Sequence, residues 1–412
     1  MTTNQVSPTE RRDLRTGRSI WMDRRRPALK TQHLEQDAVC GVLVIGAGIS
    51  GALIAESLSE AGHEVIVIDR RGPSLGSTTA STAMLQYELD TPLSLMADRI
   101  GHDRAARIWQ RSRLAVDALR ERTERLGLDV GAATRGSVYL DGNILDPAGL
   151  AREADARRRA GFEVELIGPA ETERRYGIPR RHAIIGHGNY IADPRRLTIE
   201  YLRVAQAAGC RIHAPCEASA IEPHDRGVTV RTREGHVVKA RHLVIATGYE
   251  RLKGIPSKGN YIMSTWSIAT APQPKAIWPG ADLIWEASDP YLYVRTTPDG
   301  AVICGGEDEP FDDEERRDAM IGAKAERLAT KLRRLLPGLD PTPAYAWTGS
   351  FGNSPVGTPT VGRIPRMPNC YAAMGYGGNG ITFSMMAAQL LRGLIGGYGD
   401  CDAELFSFYR PF

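Results

Sequence analysis

A short apolar run, Val42-Leu43-Val44-Ile45, leads directly into Gly46-Ala47-Gly48-Ile49-Ser50-Gly51, and this junction limits what the chain can fold into more than any other stretch. Four consecutive apolar residues bounded by glycine read as a strand buried on both faces, as in a parallel sheet. Residues 52–61 place small and apolar side chains at helical spacing, with Gly62 set to cap the helix. Val65-Ile66-Val67-Ile68 reads as a second buried strand, closed by Asp69. A G-x-G-x-x-G run alone is a weak signal. Between a strand and a helix, with an acid ending the next strand, it specifies a dinucleotide-binding βαβ unit. Gly46 permits the tight turn, Gly48 lets the backbone approach a pyrophosphate, and Gly51 lets the helix lie close to the strand. The helix N-terminus offers free N–H groups and partial positive charge to phosphates. Asp69 can accept hydrogen bonds from ribose hydroxyls, which disfavours a 2′-phosphate.

The rest of the chain agrees with a soluble protein of more than one domain. Its 412 residues exceed what one simple core holds. Hydrophobic residues make up 42% and charged residues 25%, and the formal net charge is only +3, so no basic surface for nucleic acid is indicated. No apolar run reaches membrane-spanning length. The N-terminus lacks a signal-peptide core, and Arg11-Arg12 is not followed by the apolar stretch that twin-arginine export needs. Cys40, Cys210, Cys216, Cys304, Cys370 and Cys401 form no C-x-x-C pair, so neither a zinc site nor a disulfide framework is expected, and a cytoplasmic location follows.

Residues 1–37 are polar and arginine-rich, with Trp21 the main apolar anchor. They read either as a flexible extension or as an arm packing Trp21 onto the body or a second subunit, so an oligomer is possible. Helical patterns occupy about 93–127 and 147–160, and residues 313–336 read as one charged amphipathic helix. Strand-like runs fall near 136–140, 226–232, 236–239, 243–246, 261–270, 291–296 and 301–305. A Gly/Pro-rich stretch covers 349–368. A strand at 370–374 then leads through a glycine-rich turn into a last helix at about 382–395.

FAD and NAD share the βαβ fingerprint, so other segments must separate them. Gly76–Leu85 carries small hydroxyl residues and exposed N–H groups suited to wrapping the second half of a dinucleotide. With it come Asn189-Tyr190-Ile191-Ala192-Asp193-Pro194, Leu243-Val244-Ile245-Ala246-Thr247-Gly248, Gly357–Gly362 and Tyr371–Thr382. Through these separated motifs, from about Val39 to the C-terminus, the chain resembles the D-amino-acid oxidase/glycine oxidase superfamily of FAD-dependent oxidoreductases. The resemblance implies an α/β fold: a Rossmann-like FAD-binding domain of glutathione-reductase/glycine-oxidase type, and a substrate domain on a mixed, largely antiparallel β-sheet. FAD-binding segments are expected at 38–125, 189–256 and 346–412, and substrate-domain segments at 126–188 and 257–345. Non-covalent FAD is expected at Gly46, Gly48, Ile49, Ser50, Gly51, Asp69, Arg70, Ser77, Thr78, Ala80, Ser81, Ala83, Met84, Ala218, Ala246, Thr247 and Gly248. The family's C-terminal flavin loop corresponds to Gly375, Gly377, Gly378, Asn379, Gly380, Ile381 and Thr382, whose backbone donors would meet the flavin O2 edge.

The chain departs from the family where a substrate carboxylate would be anchored. Glycine oxidase places one arginine after a W-x-G-x pattern, where this chain has Trp347-Thr348-Gly349-Ser350-Phe351, and a second where it has Gly378. An arginine fork matches a carboxylate in a way neither Phe351 nor Gly378 can. Arg295 or Arg251 could substitute from another direction. Belief therefore moves from a simple α-amino acid towards an amine without that carboxylate, a secondary amine or polyamine derivative. Met84, Gln86, Tyr87, Tyr249, Trp266, Phe351 and Tyr376 are the candidate pocket residues, the aromatics suiting a cage for an ammonium group. His182 and His187 are considered as bases and read as structural or exposed. The family chemistry moves a hydride from the carbon beside nitrogen to the flavin, and the resulting imine hydrolyses; O2 or another acceptor takes the electrons. Two other readings stand beside it: an FAD-dependent hydroxy-acid or polyol-phosphate dehydrogenase, and a flavin-containing protein that modifies or binds RNA.

Overall fold

The computed structural model describes residues 9–25, 27–256 and 260–410. Residues 1–8 and 26, part of the expected N-terminal extension, lie outside them. Two sheets organise the chain. The first is built on the βαβ unit, with Ala38–Ile45 pairing in parallel with both Val65–Ile68 and Val237–Ile245. Cys370–Met374 extends it in parallel beyond Val237–Ile245, and Arg211–His213 beyond Val65–Ile68. Val42, Leu43, Val44 and every residue of Val65–Ile68 are completely buried, as strands covered on both faces require.

Helices Ile49–Glu60, Pro194–Ala207, Gly380–Gly396 and His102–Arg125 cover one face of this sheet. Across the other face lies the hairpin Ala218–His224/Gly227–Thr232, whose Val228 and Val230 pack on Leu43, Ile45, Ile66 and Ile68. Because the strands are parallel, their C-terminal ends and the helix N-termini gather at one edge, where α/β sheets bind ligands.

The second sheet has ten strands and is antiparallel except where Leu283–Glu286 runs parallel with Ala133–Leu140. Its centre is the long pair Tyr261–Thr270 and Pro343–Asn353, with helix Ile321–Leu335 packed on one face through Leu328, Leu332 and Leu335. The sheets therefore match the expected mixed α/β architecture. Several local expectations give way to context. Gly101, at φ +90°, divides the predicted 93–127 helix into Leu93–Ile100 and His102–Arg125. The 313–336 helix is likewise two helices, Glu314–Ala319 and Ile321–Leu335. Residues 236–239 and 243–246 belong largely to one strand, Val237–Ile245, and the Gly/Pro-rich 349–368 stretch contains strand residues up to Asn353 and again at Thr360–Arg363.

The described part of the N-terminal segment packs on the body. Arg15–Arg18 pairs antiparallel with Pro343–Asn353 and forms an edge of the large sheet. Trp21 is 1% exposed among Ile20, Ala269, Ile303 and Trp347, and its indole N–H donates to the Ser81 carbonyl at 2.7 Å. Deleting so large a buried side chain costs about 3–5 kcal/mol. Trp21→Ala is therefore expected to lower the denaturant midpoint of the flavin-loaded protein well beyond the effect of a surface control such as Leu114→Ala, with unfolding followed by circular dichroism.

Candidate active site

One continuous cavity runs from the edge of the parallel sheet to the face of the large one. At its first end the glycines do what their spacing predicts. A Cβ on Gly46, at φ +115°, would lie 2.3 Å from the Ala246 carbonyl oxygen, and one on Gly51 would lie 1.8 Å from that of Gly46. Strand, turn and helix are thus pressed together at distances only hydrogen allows. The N-cap Gly48 gives helix Ile49–Glu60 no side-chain cap, and its first residues Ile49 and Ser50 border the cavity; the Ile49 N–H donates to Thr78 Oγ1 at 3.1 Å. Asp69 closes the neighbouring strand. Its Oδ2 accepts from the Ala47 N–H at 2.7 Å and its Oδ1 from those of Arg71 and Gly72, each at 2.8 Å. Arg70 and Arg71 both pair with Glu250, and Cys216, Glu217 and Ala218 complete this end. An uncapped helix terminus beside a glycine cradle and a fixed carboxylate fits the pyrophosphate and ribose of a dinucleotide.

The segment from Ser77 to Asp90 leads along the cavity to its second end. Of the predicted cofactor residues, all line the wall except three. Gly51 lies behind it against Gly46, Gly375 precedes the turn at φ +68°, and Thr382 donates its hydroxyl to the Gln86 carbonyl at 2.8 Å. Helix Gly380–Gly396 also starts without a side-chain cap, and Gly377, Gly378, Gly380 and Ile381 border the cavity there. A second helix N-terminus thus borders the same space beside the first, with Ser50 Oγ 2.7 Å from Ser384 Oγ.

Met84, Gln86, Tyr249, Phe351 and Tyr376 line the cavity as expected of pocket residues. Tyr87 and Trp266 do not. Tyr87 stacks on Phe162 at 5.3 Å, edge-on to Trp109, and so belongs to the helical core. Trp266 lies under helix Ile321–Leu335, with the Lys324 ammonium 4.4 Å from its ring centre and its N–H on the Arg317 carbonyl. Arg295, expected as an anion anchor, is also displaced from the wall. Fully buried beneath Trp21, it donates from Nη1 to the carbonyls of Thr82, Ala83 and Ala192, and burial pushes its pKa down to about 9. It secures the loop that forms the wall. Arg251 donates to the Asn260 carbonyl, His182 lies 3.5 Å from Asp141, and His187 is exposed; none of the three borders the cavity.

Sequence reading missed Asp90, Thr265, Trp285, Tyr291 and Tyr293, all of which line the second end. Tyr291 and Tyr293 alternate with Leu292 and Val294, a period of two that puts both rings on one face; they sit 5.4 Å apart. Asp90 accepts from the Gly378 N–H at 3.0 Å, and burial raises its pKa. A Cβ at Gly378 would meet Asp90 Oδ2 at 2.6 Å, so the carboxylate takes the space a side chain there would need. The N-terminal arm contributes Thr9 and Leu14, which no pattern had marked.

Asp308 lies just behind this end. Thr265 and Trp266 face a bulge: Ser264 pairs with Glu309 and Trp266 with Gly306, so Glu307 and Asp308 both oppose Thr265. Glu307 turns to Lys324 and Lys331, while Asp308 lies against Thr265 and Tyr293, both cavity residues. Burial pushes its pKa up to about 7.

The fold and site define a two-sheet flavoenzyme. The chain belongs to the FAD dependent oxidoreductase family, whose model matches residues 41–394, and it is an FAD-dependent oxidoreductase. Gamma-glutamylputrescine oxidoreductase of Escherichia coli strain K12 is 24% identical over 91% of this chain and 87% of its own length. The MnmC bifunctional protein of tRNA 5-methylaminomethyl-2-thiouridine biosynthesis from Ralstonia nicotianae is 24% identical; the match covers 95% of this chain but 62% of that protein. Among solved structures, glycine oxidase from Geobacillus kaustophilus superposes with a TM-score of 0.74 at 22% identity, over 91% of this chain and 100% of that one. L-proline dehydrogenase from P. horikoshii gives 0.72 at 20% identity, over 92% and 98%. Among the described residues no helix is long and apolar enough to cross a membrane.

Two outcomes follow from this geometry. Gly51→Ala forces the helix away from Gly46, so the purified variant is expected to carry at least ten-fold weaker FAD binding, a change of about 1.4 kcal/mol, measured by flavin fluorescence titration. The second concerns Asp308, whose folded-state pKa lies above its unfolded value. The folded protein therefore holds an extra proton between the ordinary carboxylate range and about pH 7, and this group's contribution to stability falls as pH rises through that interval. Between pH 5.5 and 8 the wild type should lose more stability than Asp308→Asn, read as urea midpoints of the flavin-loaded proteins.

Proposed function

We propose that the chain oxidises a carbon–nitrogen bond of an amine that lacks the carboxylate held by an arginine in glycine oxidase. One observation carries the reading. Among the described residues lining the cavity, the only cations are Arg70 and Arg71, at the opposite end and paired with Glu250; the second end presents Asp90. A carboxylate brought there would be desolvated against the partly buried Asp90 with no cation to meet it, which is unfavourable.

FAD supplies a hydride acceptor when bound, and the protein's part is placement and exclusion of water. Tyr249 and Tyr376 pack edge to face at 6.4 Å, and Phe351 and Trp285 add further aromatic walls. These rings confine the reacting carbon while offering π-faces to a cation. An amine that reaches the reacting position neutral needs no strong base, consistent with the lack of a histidine on the described wall. The relatives named for gamma-glutamylputrescine, glycine and proline favour C–N chemistry over the hydroxy-acid alternative. Electrons then pass to O2 or another acceptor, and FAD is held non-covalently by the segments around Gly46–Ser50, Ser77–Met84 and Gly377–Ile381.

The test is anaerobic reduction of the flavin, followed by loss of its visible absorbance, with primary amines, N-methyl amines, glycine and D-amino acids. Reduction by amines lacking a carboxylate, at least ten-fold faster than by glycine at equal concentration, is the expected result. Reduction by amino acids alone would defeat the reading.

A further inference from the structure

The N-terminal arm is bonded to both halves of the molecule. Residues 9–12 are fastened to the parallel-sheet unit. Thr9 bridges Leu252, and the Glu10 N–H donates to the Arg251 carbonyl at 2.8 Å. Arg11 pairs with Glu217. The Arg12 N–H donates to Glu250 Oε1 at 3.1 Å, and Arg71 Nη2 donates to the Arg12 carbonyl at 2.8 Å. Residues 13–18 are fastened to the large-sheet unit. The Asp13 N–H donates to Glu314 and its carbonyl accepts from Arg317, each at 2.8 Å. The Ser350 N–H donates to the Leu14 carbonyl at 3.1 Å, and the Arg15–Arg18 ladder follows. Glu217 and Glu250 line the cavity from the first unit, Gly349 and Ser350 from the second, and Thr9 and Leu14 from the arm. A segment tied to both units and lining the space between them crosses the cavity.

The two fastenings differ in kind. Arg15–Arg18 holds four paired positions on Pro343–Asn353 and runs on to the buried Trp21. The other half has one isolated bridge and an ion pair in which the Arg11 side chain stays 55% exposed. Exposed ion pairs are weak and screened, and short pairings open before ladders backed by a core. The firmest point of this half is Glu250, which takes the Arg12 N–H together with Arg70 and Arg71. Those two arginines directly follow Asp69, the carboxylate suited to a ribose. The clasp of the arm and the ribose end of the cofactor site are therefore one network.

We propose that residues 9–14 are a further FAD-holding segment: a strap, hinged at the Arg15–Arg18 ladder, that closes over the cofactor so that FAD enters and leaves only when the strap lifts. Leu14 is 5% exposed and lies over the segment that leads along the cavity, its Cδ1 3.7 Å from where a Cβ on Gly76 would stand. A ligand beneath a segment tied on both sides escapes only after one tie breaks. The tie at residues 9–12 is the one with no ladder and no buried tryptophan behind it. Linkage makes the effect reciprocal: bound FAD holds the strap down as the strap holds FAD in. The strap acts on the cofactor, whichever amine reacts.

Locking the strap down tests this. Facing residues of an antiparallel pair have Cα atoms about 4.5–5.5 Å apart, within reach of a disulfide. Thr9→Cys and Leu252→Cys are therefore combined, with Cys401→Ser to remove the exposed thiol. The variant is loaded with FAD, oxidised, and exchanged against an excess of isotopically labelled FAD, the retained flavin being read by mass spectrometry. The oxidised form is expected to exchange at least ten-fold more slowly than the same variant reduced with dithiothreitol, which controls for the substitutions themselves. The unsubstituted protein supplies a second measurement. With FAD bound, trypsin should cut within residues 11–18 at least ten-fold more slowly than without it, and cleavage after Arg174, in helix Pro169–Tyr176, should change less. Equal exchange rates in the oxidised and reduced forms, or FAD protecting Arg174 as strongly as the arm, overturns the strap.

Discussion

The structure depends on how a stretch of chain with little regular secondary structure is held between two sheets. Residues 80–84 and Gln86 form the inner wall of the cavity, and several carbonyls of residues 80–88 take their donors from side chains rather than from a ladder. Buried carbonyls must find donors elsewhere. Here the Trp347 indole serves Ala80, the Trp21 indole Ser81, and Arg295 both Thr82 and Ala83. The Thr382 hydroxyl serves Gln86, and the Asn379 amide serves Glu88 at 2.9 Å. These donors come from the N-terminal arm, the large sheet and the start of helix Gly380–Gly396. One loop therefore ties together segments more than 300 residues apart in sequence, and the cavity has its shape only when all of them are in place.

The same economy explains Arg295. A fully buried guanidinium with its pKa pushed down is expensive in isolation. Its cost is offset by three carbonyls that would otherwise be unsatisfied and by the indole of Trp21 lying against it. An arginine that looks from sequence like a ligand anchor is here a structural donor one layer behind the wall. At the second end the charge that reaches the open space is negative, carried by Asp90 where Gly378 approaches it closely.

This arrangement also separates what the family shares from what this chain alters. Glycine oxidase and L-proline dehydrogenase superpose over nine-tenths of the molecule at 22% and 20% identity. Identity that low can preserve a fold because strand burial and glycine turns tolerate many sequences, whereas substrate choice depends on a few side chains at one end of the cavity. Phe351 and Gly378 line the cavity there, and Asp90 takes the space beside Gly378.

Sequence alone determined the βαβ unit because everything in it is local. Its three glycines, Asp69 and the uncapped start of helix Ile49–Glu60 are dictated by spacing and by backbone sterics within one short stretch of chain. Trp21 was visible as an anchor, though where it anchored was not. What only the tertiary structure decided is the character of the substrate end. Tyr87 and Trp266 went to cores, and Arg295 moved behind the wall. Asp90 came to this end beside Gly378, although 288 positions separate them in the chain. The reason is physical: a side chain's direction at that end depends on strand register, which puts Thr265 on the cavity wall and its neighbour Trp266 in the core under helix Ile321–Leu335.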